Sequence, residues 1–169
     1  MADQDPDGSH IKGLIINFID HFWPSLLKRN DFLAEFITPI VKVQLSNEKQ
    51  KSFYSINDFK SFYNSMKESN EDTIDKLKIK YYKGLGTSTA KEAKEYFRDF
   101  HSNCISFFYV NEDDNKKIDL VFNKGKAEDR KNWISKINLS DSIDYTKKKL
   151  NYNEFFDKEL IFFSYLDNA

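Results

Sequence analysis

Met1-Ala2-Asp3-Gln4-Asp5-Pro6-Asp7-Gly8-Ser9-His10-Ile11-Lys12-Gly13-Leu14 opens the chain and decides its reading. Asp3, Asp5 and Asp7 alternate, Gly8 follows, and a helical pattern then begins. Three like charges in so short a stretch repel. A pair about 5 Å apart costs on the order of 1 kcal/mol in water, and a few times that at an effective dielectric near 20. Either a carboxyl takes a proton or a hard cation removes the conflict. The segment matches the first half of a calcium EF-hand loop. That loop needs a bidentate Glu at its twelfth position, where this chain has Leu14, and no helix precedes Asp3. Magnesium fits better, because it takes one or two carboxylates and shares phosphate oxygens with a substrate. A solvated acidic turn that caps a helix satisfies the same spacing.

Beyond that stretch, Ile11, Leu14, Ile15, Phe18, Ile19 and Phe22 fall at helical spacing in one stripe. The spacing predicts a helix from His10, capped by Ser9 and ended or kinked at Pro24. Its N-terminal dipole end favours phosphate. His10 is placed either to touch that phosphate or to serve as a hydrogen-bonded structural histidine. A second helix is expected over 25–35 and a strand over 37–43, with Pro39 marking an edge or irregular start. A short strand over 52–55 and a helix over 57–66 follow, with Phe59, Phe62 and Tyr63 inward. A strand over 77–82 then runs into Lys83-Gly84-Leu85-Gly86-Thr87-Ser88 and a helix whose inner face is Ala93, Tyr96, Phe97 and Phe100. Strand, glycine turn and helix can bring backbone N–H groups to an anion, with Lys83 adding charge. A plain tight βα turn fits as well. Residues 104–110 and 117–122 read as two strands of a hairpin joined by the acidic turn 111–115, with Asp113 and Asp114 as turn formers. A helix over 127–137 projects Arg130 and Lys131 and turns Trp133 inward. Residues 138–149 read as a linker, and a last helix spans 153–165.

At 169 residues the chain is sized for one domain and can bury a sizeable core. Hydrophobic residues make up 40% and aromatics 16%, which excludes general disorder. The net charge of −1 gives no bulk attraction to nucleic acid, so any such contact needs a local basic patch. Cys104, the one cysteine, rules out an intramolecular disulfide. Met1 is followed by acid rather than by a basic and then apolar segment, and no stretch is apolar enough to span a membrane.

The opening fourteen residues resemble the second acidic motif of the Toprim domain in eukaryotic-type type II DNA topoisomerases. Residues 15–27, 36–43, 91–97, 129–133 and 157–164 continue the resemblance in order, as does Lys80-Tyr81-Tyr82-Lys83-Gly84-Leu85-Gly86-Thr87-Ser88-Thr89. Pro6 stands where that family usually has Gln, and proline should stiffen the acidic loop. The resemblance implies an α/β fold: a Rossmann-like Toprim sheet flanked by helices, N-terminally incomplete, with an added β-hairpin and a C-terminal helix. It divides the chain into a partial Toprim domain at 1–137, a linker at 138–152 and, at 153–169, the first helix of the winged-helix part of the cleavage core. It implies Asp3 and Asp5 as Mg2+ ligands and Asp7 as a ligand or a support through water. Lys83, Gly84, Gly86, Arg130, Lys131 and His10 would face double-stranded DNA. The activity implied is ATP-dependent strand passage by a nuclear homodimer. The ATP site, a further Glu and the DNA-linking tyrosine are expected outside these residues. Two other classes share parts of the pattern. Another Toprim nuclease or primase would have the acidic triplet but not the blocks at 82–86 and 129–131. A non-catalytic metal-binding interaction domain is the third.

Overall fold

The computed structural model describes residues 5–45, 49–69, 77–82, 85–138 and 141–167. Asp5 starts the first helix, α1 (Pro6–Phe22). Its extended backbone and a side chain that accepts from the Gly8 N–H at 2.7 Å make it the N-cap. The helix therefore begins four residues before the expected His10, and Ser9 lies inside it. Proline belongs at such a first position, because its fixed φ suits the helix and its missing N–H would have had no partner. Pro6 thus initiates a helix and does not stiffen a loop.

The buried face of α1 is also not the expected one. Gly8, Ser9, Gly13 and Ile16 turn inward, while Ile11, Leu14, Ile15, Phe18 and Phe22 are about half exposed. Gly13 explains the choice. A Cβ there would lie 2.1 Å from Leu160 Cδ1 and 3.1 Å from Phe122 Cζ, so the helix approaches its neighbours along its small residues. Trp23 adds to the exposed apolar face.

A single turn, α2 (Pro24–Leu27), replaces the helix expected over 25–35, and Glu35 falls in strand β1 (Ala34–Phe36). The strand expected over 37–43 narrows to β2 (Val41–Gln44); as Pro39 suggested, 37–40 is irregular. Next come β3 (Gln50–Phe53), α3 (Ile56–Ser69) and β4 (Lys78–Tyr81). These strands form an antiparallel sheet in the order β3-β2-β4. Phe59 and Phe62 of α3 pack on Val41, Val43 and Phe53, as their spacing implied.

After a 3-10 turn at Leu85–Thr87 comes α4 (Ala90–Arg98), capped by Thr89 and Glu92 in a reciprocal capping box. Tyr96 is buried, but Phe97 and Phe100, expected inward, are largely exposed and stack on Phe36. Strand β5 (Cys104–Phe108) pairs antiparallel with β1.

The hairpin is absent. Residues expected as its turn and second strand form one helix, α5 (Glu112–Phe122). Asn111 caps it, Asp114 closes the capping box, and three acids in the first turn complement the helix dipole. Then comes α6 (Ala127–Ile134), with Trp133 buried. The stretch expected as linker contains strand β6 (Lys149–Asn151), which pairs parallel with β5 and completes the sheet β1-β5-β6.

The chain ends in α7 (Tyr152–Phe155), a π-helical turn (Phe156–Leu160) and α8 (Ile161–Asp167). Tyr152, Phe155, Phe156, Leu160 and Ile161 are at most 3% exposed and share one core with Ile16, Ile105, Phe107, Ile118 and Trp133. The last helical segment is thus the centre of this core, where a helix beyond a linker had been expected. The α/β class stands, with helices flanking two three-stranded sheets. None of the described helices is long and apolar enough to cross a membrane.

Candidate metal and nucleic-acid site

Two of the three aspartates lie among the described residues, both at the start of α1. Asp5 is partly exposed and orders the turn through Gly8; Asp7 is exposed on the first turn. Asp3 lies outside the described residues, as do Lys83 and Gly84. Among the described residues no cluster of three or more His, Cys, Asp or Glu side chains could hold a metal. Two carboxylates beside open solvent suit magnesium, which keeps waters and takes remaining oxygens from a phosphate. The helix N-terminus opposes a bare cation and favours an anion. A cation held by the aspartates together with a phosphate meets both demands.

His10 stacks flat on Phe163 of α8, with ring centroids 4.0 Å apart, one turn from Asp7. Gly86 sits exposed in the 3-10 turn between β4 and α4. That corner is braced from both sides. Lys80 of β4 pairs with Glu92 of α4 at 2.8 Å, and the Tyr82 hydroxyl donates to the same carboxylate. Burial opposes ionisation of Glu92, but hydrogen bonds from Lys80, Tyr82 and Thr89 outweigh it and lower its pKa to about 2.

Arg130 does not project as expected. Its Nη1 donates to the carbonyls of Leu120, Val121 and Asn123 at 3.0–3.1 Å, closing the C-terminal end of α5. Such a cation at a helix C-terminus satisfies carbonyls that have no helical partner. Lys131 does project, 69% exposed and paired with Glu128.

The sequence reading missed a buried polar cluster just inside the acidic turn. Lys12 Nζ lies 2.9 Å from Glu35 Oε2 and 2.7 Å from Glu159 Oε1. Ser9 Oγ donates to Glu159 Oε1 at 2.7 Å, and Tyr145 OH donates to Glu159 Oε2 at 3.2 Å. A signal existed: Glu35 and Glu159 stand directly before apolar residues, Phe36-Ile37 and Leu160-Ile161-Phe162-Phe163. A cavity of about 310 Å³ lies alongside, lined in part by Asp5, Ser9, Tyr54, Tyr145 and Glu159.

Burial works against the Lys12 ammonium, but Glu159 and Glu35 more than offset it and raise its pKa. Glu35 goes the other way for a carboxylate. Burial, then the charge of Glu159, push its pKa up to about 7 against the pull of Lys12. Its Oε1 is buried with no hydrogen-bond partner among the described residues. Between the ordinary 4.5 and about 7 the folded protein holds the proton that the unfolded chain releases. Stability from this group is therefore complete below about pH 4.5 and is lost as pH rises towards 7. Denaturant unfolding of wild type and Glu35→Gln across that range should show the wild type losing stability relative to the variant as pH rises.

The family model described as the C-terminal associated domain of TOPRIM matches residues 36–168, continuously across the expected linker. DNA topoisomerase 2 top-2 of Caenorhabditis elegans is 48% identical over 180 residues, covering 99% of this chain and 11% of that protein. DNA topoisomerase 2-alpha of Homo sapiens gives the same three percentages. A relative in Dictyostelium discoideum, 46% identical over 99% of this chain, is named DNA topoisomerase 2, mitochondrial. The chain thus spans about a tenth of the length of these curated relatives. Among solved structures, the Plasmodium falciparum topoisomerase II DNA-binding, cleavage and re-ligation domain superposes with a TM-score of 0.88 at 47% identity. That match covers 99% of this chain and 22% of the other. Both the sequence similarity and the structural match cover nearly the whole chain, and the chain belongs to the family of the C-terminal associated domain of TOPRIM, in the form found in eukaryotic DNA topoisomerase 2.

Proposed function

We propose that these residues form part of the DNA-cleavage machinery of an ATP-dependent type II DNA topoisomerase. The observation that carries this reading is the pair Asp5, the N-cap of α1, and Asp7, on its first turn, in a chain so similar to DNA topoisomerase 2 over nearly its whole length. In this reading Asp5 and Asp7, with Asp3, hold Mg2+. The ion, when bound, supplies charge neutralisation and polarisation at a DNA phosphate. The N-terminus of α1 offers its dipole to the same phosphate, and His10, fixed by Phe163, lies one turn away. Gly86 with the preceding Lys83-Gly84, and Lys131 on the corner that Arg130 closes, extend the contact with double-stranded DNA. The tyrosine nucleophile, the further Glu and the ATP site come from other parts of a nuclear homodimer. The exposed apolar face of α1 supports such a setting, because a contiguous patch of this kind is usually covered by another element or subunit.

The full-length protein, given ATP and Mg2+, should relax supercoiled plasmid in steps of two in linking number. The isolated 169-residue segment should neither relax nor cleave it. Steps of one, or turnover by the segment alone, would overturn the assignment.

A further inference from the structure

We propose that Glu159, presented by the π-helical turn, is a positioning residue that holds the first turn of α1 in metal-binding geometry. The inference rests on the reading of Asp5 and Asp7 as metal ligands.

A helix terminus frays unless something pins it, and this one also carries two like charges. Two of its inward side chains meet on one carboxylate. Ser9, two residues beyond Asp7, and Lys12, in the next turn, both donate to Glu159 Oε1 at 2.7 Å. The backbone N–H of Ser9 in turn donates to the Asp5 carbonyl at 3.0 Å, so the clamp on Ser9 reaches Asp5 directly. The other oxygen, Oε2, accepts from Tyr145 OH, which fixes the carboxylate plane from the opposite side. Lys12 carries the connection on to Glu35 of β1.

The π turn makes this contact possible. Phe155, Phe156, Leu160 and Ile161 must all reach the core, and all are at most 3% exposed. One residue in a regular α-helix advances the direction of a side chain by about 100°. The wider π turn absorbs an extra residue, so Glu159 faces α1 while Phe156 before it and Leu160 after it both stay buried. Such turns are rare and occur frequently at functional sites. An ion pair for Lys12 alone would need neither Ser9 nor Tyr145.

The test uses the full-length protein. Outer residues that orient metal ligands typically change metal affinity about 10- to 100-fold when replaced. Glu159→Ala should raise the Mn2+ dissociation constant, read by electron paramagnetic resonance without DNA, by about that factor. The Mg2+ concentration for half-maximal DNA cleavage should rise in parallel, by more than any fall in maximal rate. Glu159→Gln keeps an acceptor oxygen for Ser9 and Lys12 and should recover most of the loss. If Glu159→Ala fails to fold, Ser9→Ala, which leaves the Lys12 ion pair intact, should show the same direction of change. An unchanged Mn2+ affinity in folded Glu159→Ala, or in Ser9→Ala where that variant is used, overturns the inference. Asp5→Asn with Asp7→Asn is the control. If that variant binds Mn2+ like wild type, the metal reading itself has failed; if it loses Mn2+ while the Glu159 variant keeps it, only the positioning role has.

Discussion

Alanine at both Asp5 and Asp7 in the full-length protein should lower Mg2+-dependent DNA scission by roughly 1,000-fold or more. A bound divalent ion contributes several kcal/mol of charge stabilisation in the transition state, and each 1.36 kcal/mol is a factor of ten in rate. The structure adds a complication, because Asp5 is also the N-cap of α1. Removing a cap of this kind costs about 1 kcal/mol of stability, so alanine alone confounds two losses. Asparagine separates them. Asp5→Asn retains an oxygen for the Gly8 N–H and should melt within a degree or two of wild type. It replaces a charged oxygen donor with a weak neutral one and should lose most of the scission. Full scission by a correctly folded Asp5→Asn, Asp7→Asn protein would show that the acids only cap a helix, and the proposed chemistry would fall.

The second large effect is on stability. Asp114 is fully buried. Its Oδ2 accepts from the Val110 N–H at 2.7 Å and, more weakly, from the Asn111 N–H at 3.4 Å. Its Oδ1 accepts from the backbone N–H and side-chain amide of Asn153 at 3.2 and 2.8 Å. One carboxylate thus closes the N-terminus of α5 and ties it to α7, whose aromatic residues fill the core. Alanine would strand these donors, each worth about 1–3 kcal/mol when buried without a partner. The total loss should be about 3–5 kcal/mol. For a chain of this size that corresponds to a melting temperature lower by about 6–20 °C. Asp114→Asn keeps one acceptor oxygen and should fall between alanine and wild type. A melting temperature within about 2 °C of wild type for Asp114→Ala would mean that the four contacts contribute little.

Much of this protein is legible in its residues alone. The family resemblance implied the α/β class, and the alternating aspartates, the helical period after them, the packing of Phe59 and Phe62 and the strand ending before Lys83 follow from local pattern. In each case neighbouring residues carry the signal. Where local pattern admits two answers, tertiary contacts chose. Lys117-Ile118-Asp119-Leu120-Val121-Phe122 fits a short strand or a helical turn, since six residues do not distinguish the two periods. The caps from Asn111 and Asp114, and the burial of Ile118 and Val121, made them a helix. Strand β6 is three residues long and polar at its ends, and only the parallel register with β5 makes it a strand.

The period of α1 specified a helix but not the face it buries. That was decided by Gly13, where only a residue without a side chain lets α1 meet Leu160 across 147 positions of sequence. The sequence by itself determined the acidic motif, the element types around it and the family it resembles. The tertiary structure alone decided which side of α1 is covered, and that Lys12, Glu35 and Glu159 form one buried cluster. Periodicity and capping act between near neighbours, whereas close approach and charge pairing act between residues that only the folded chain brings together.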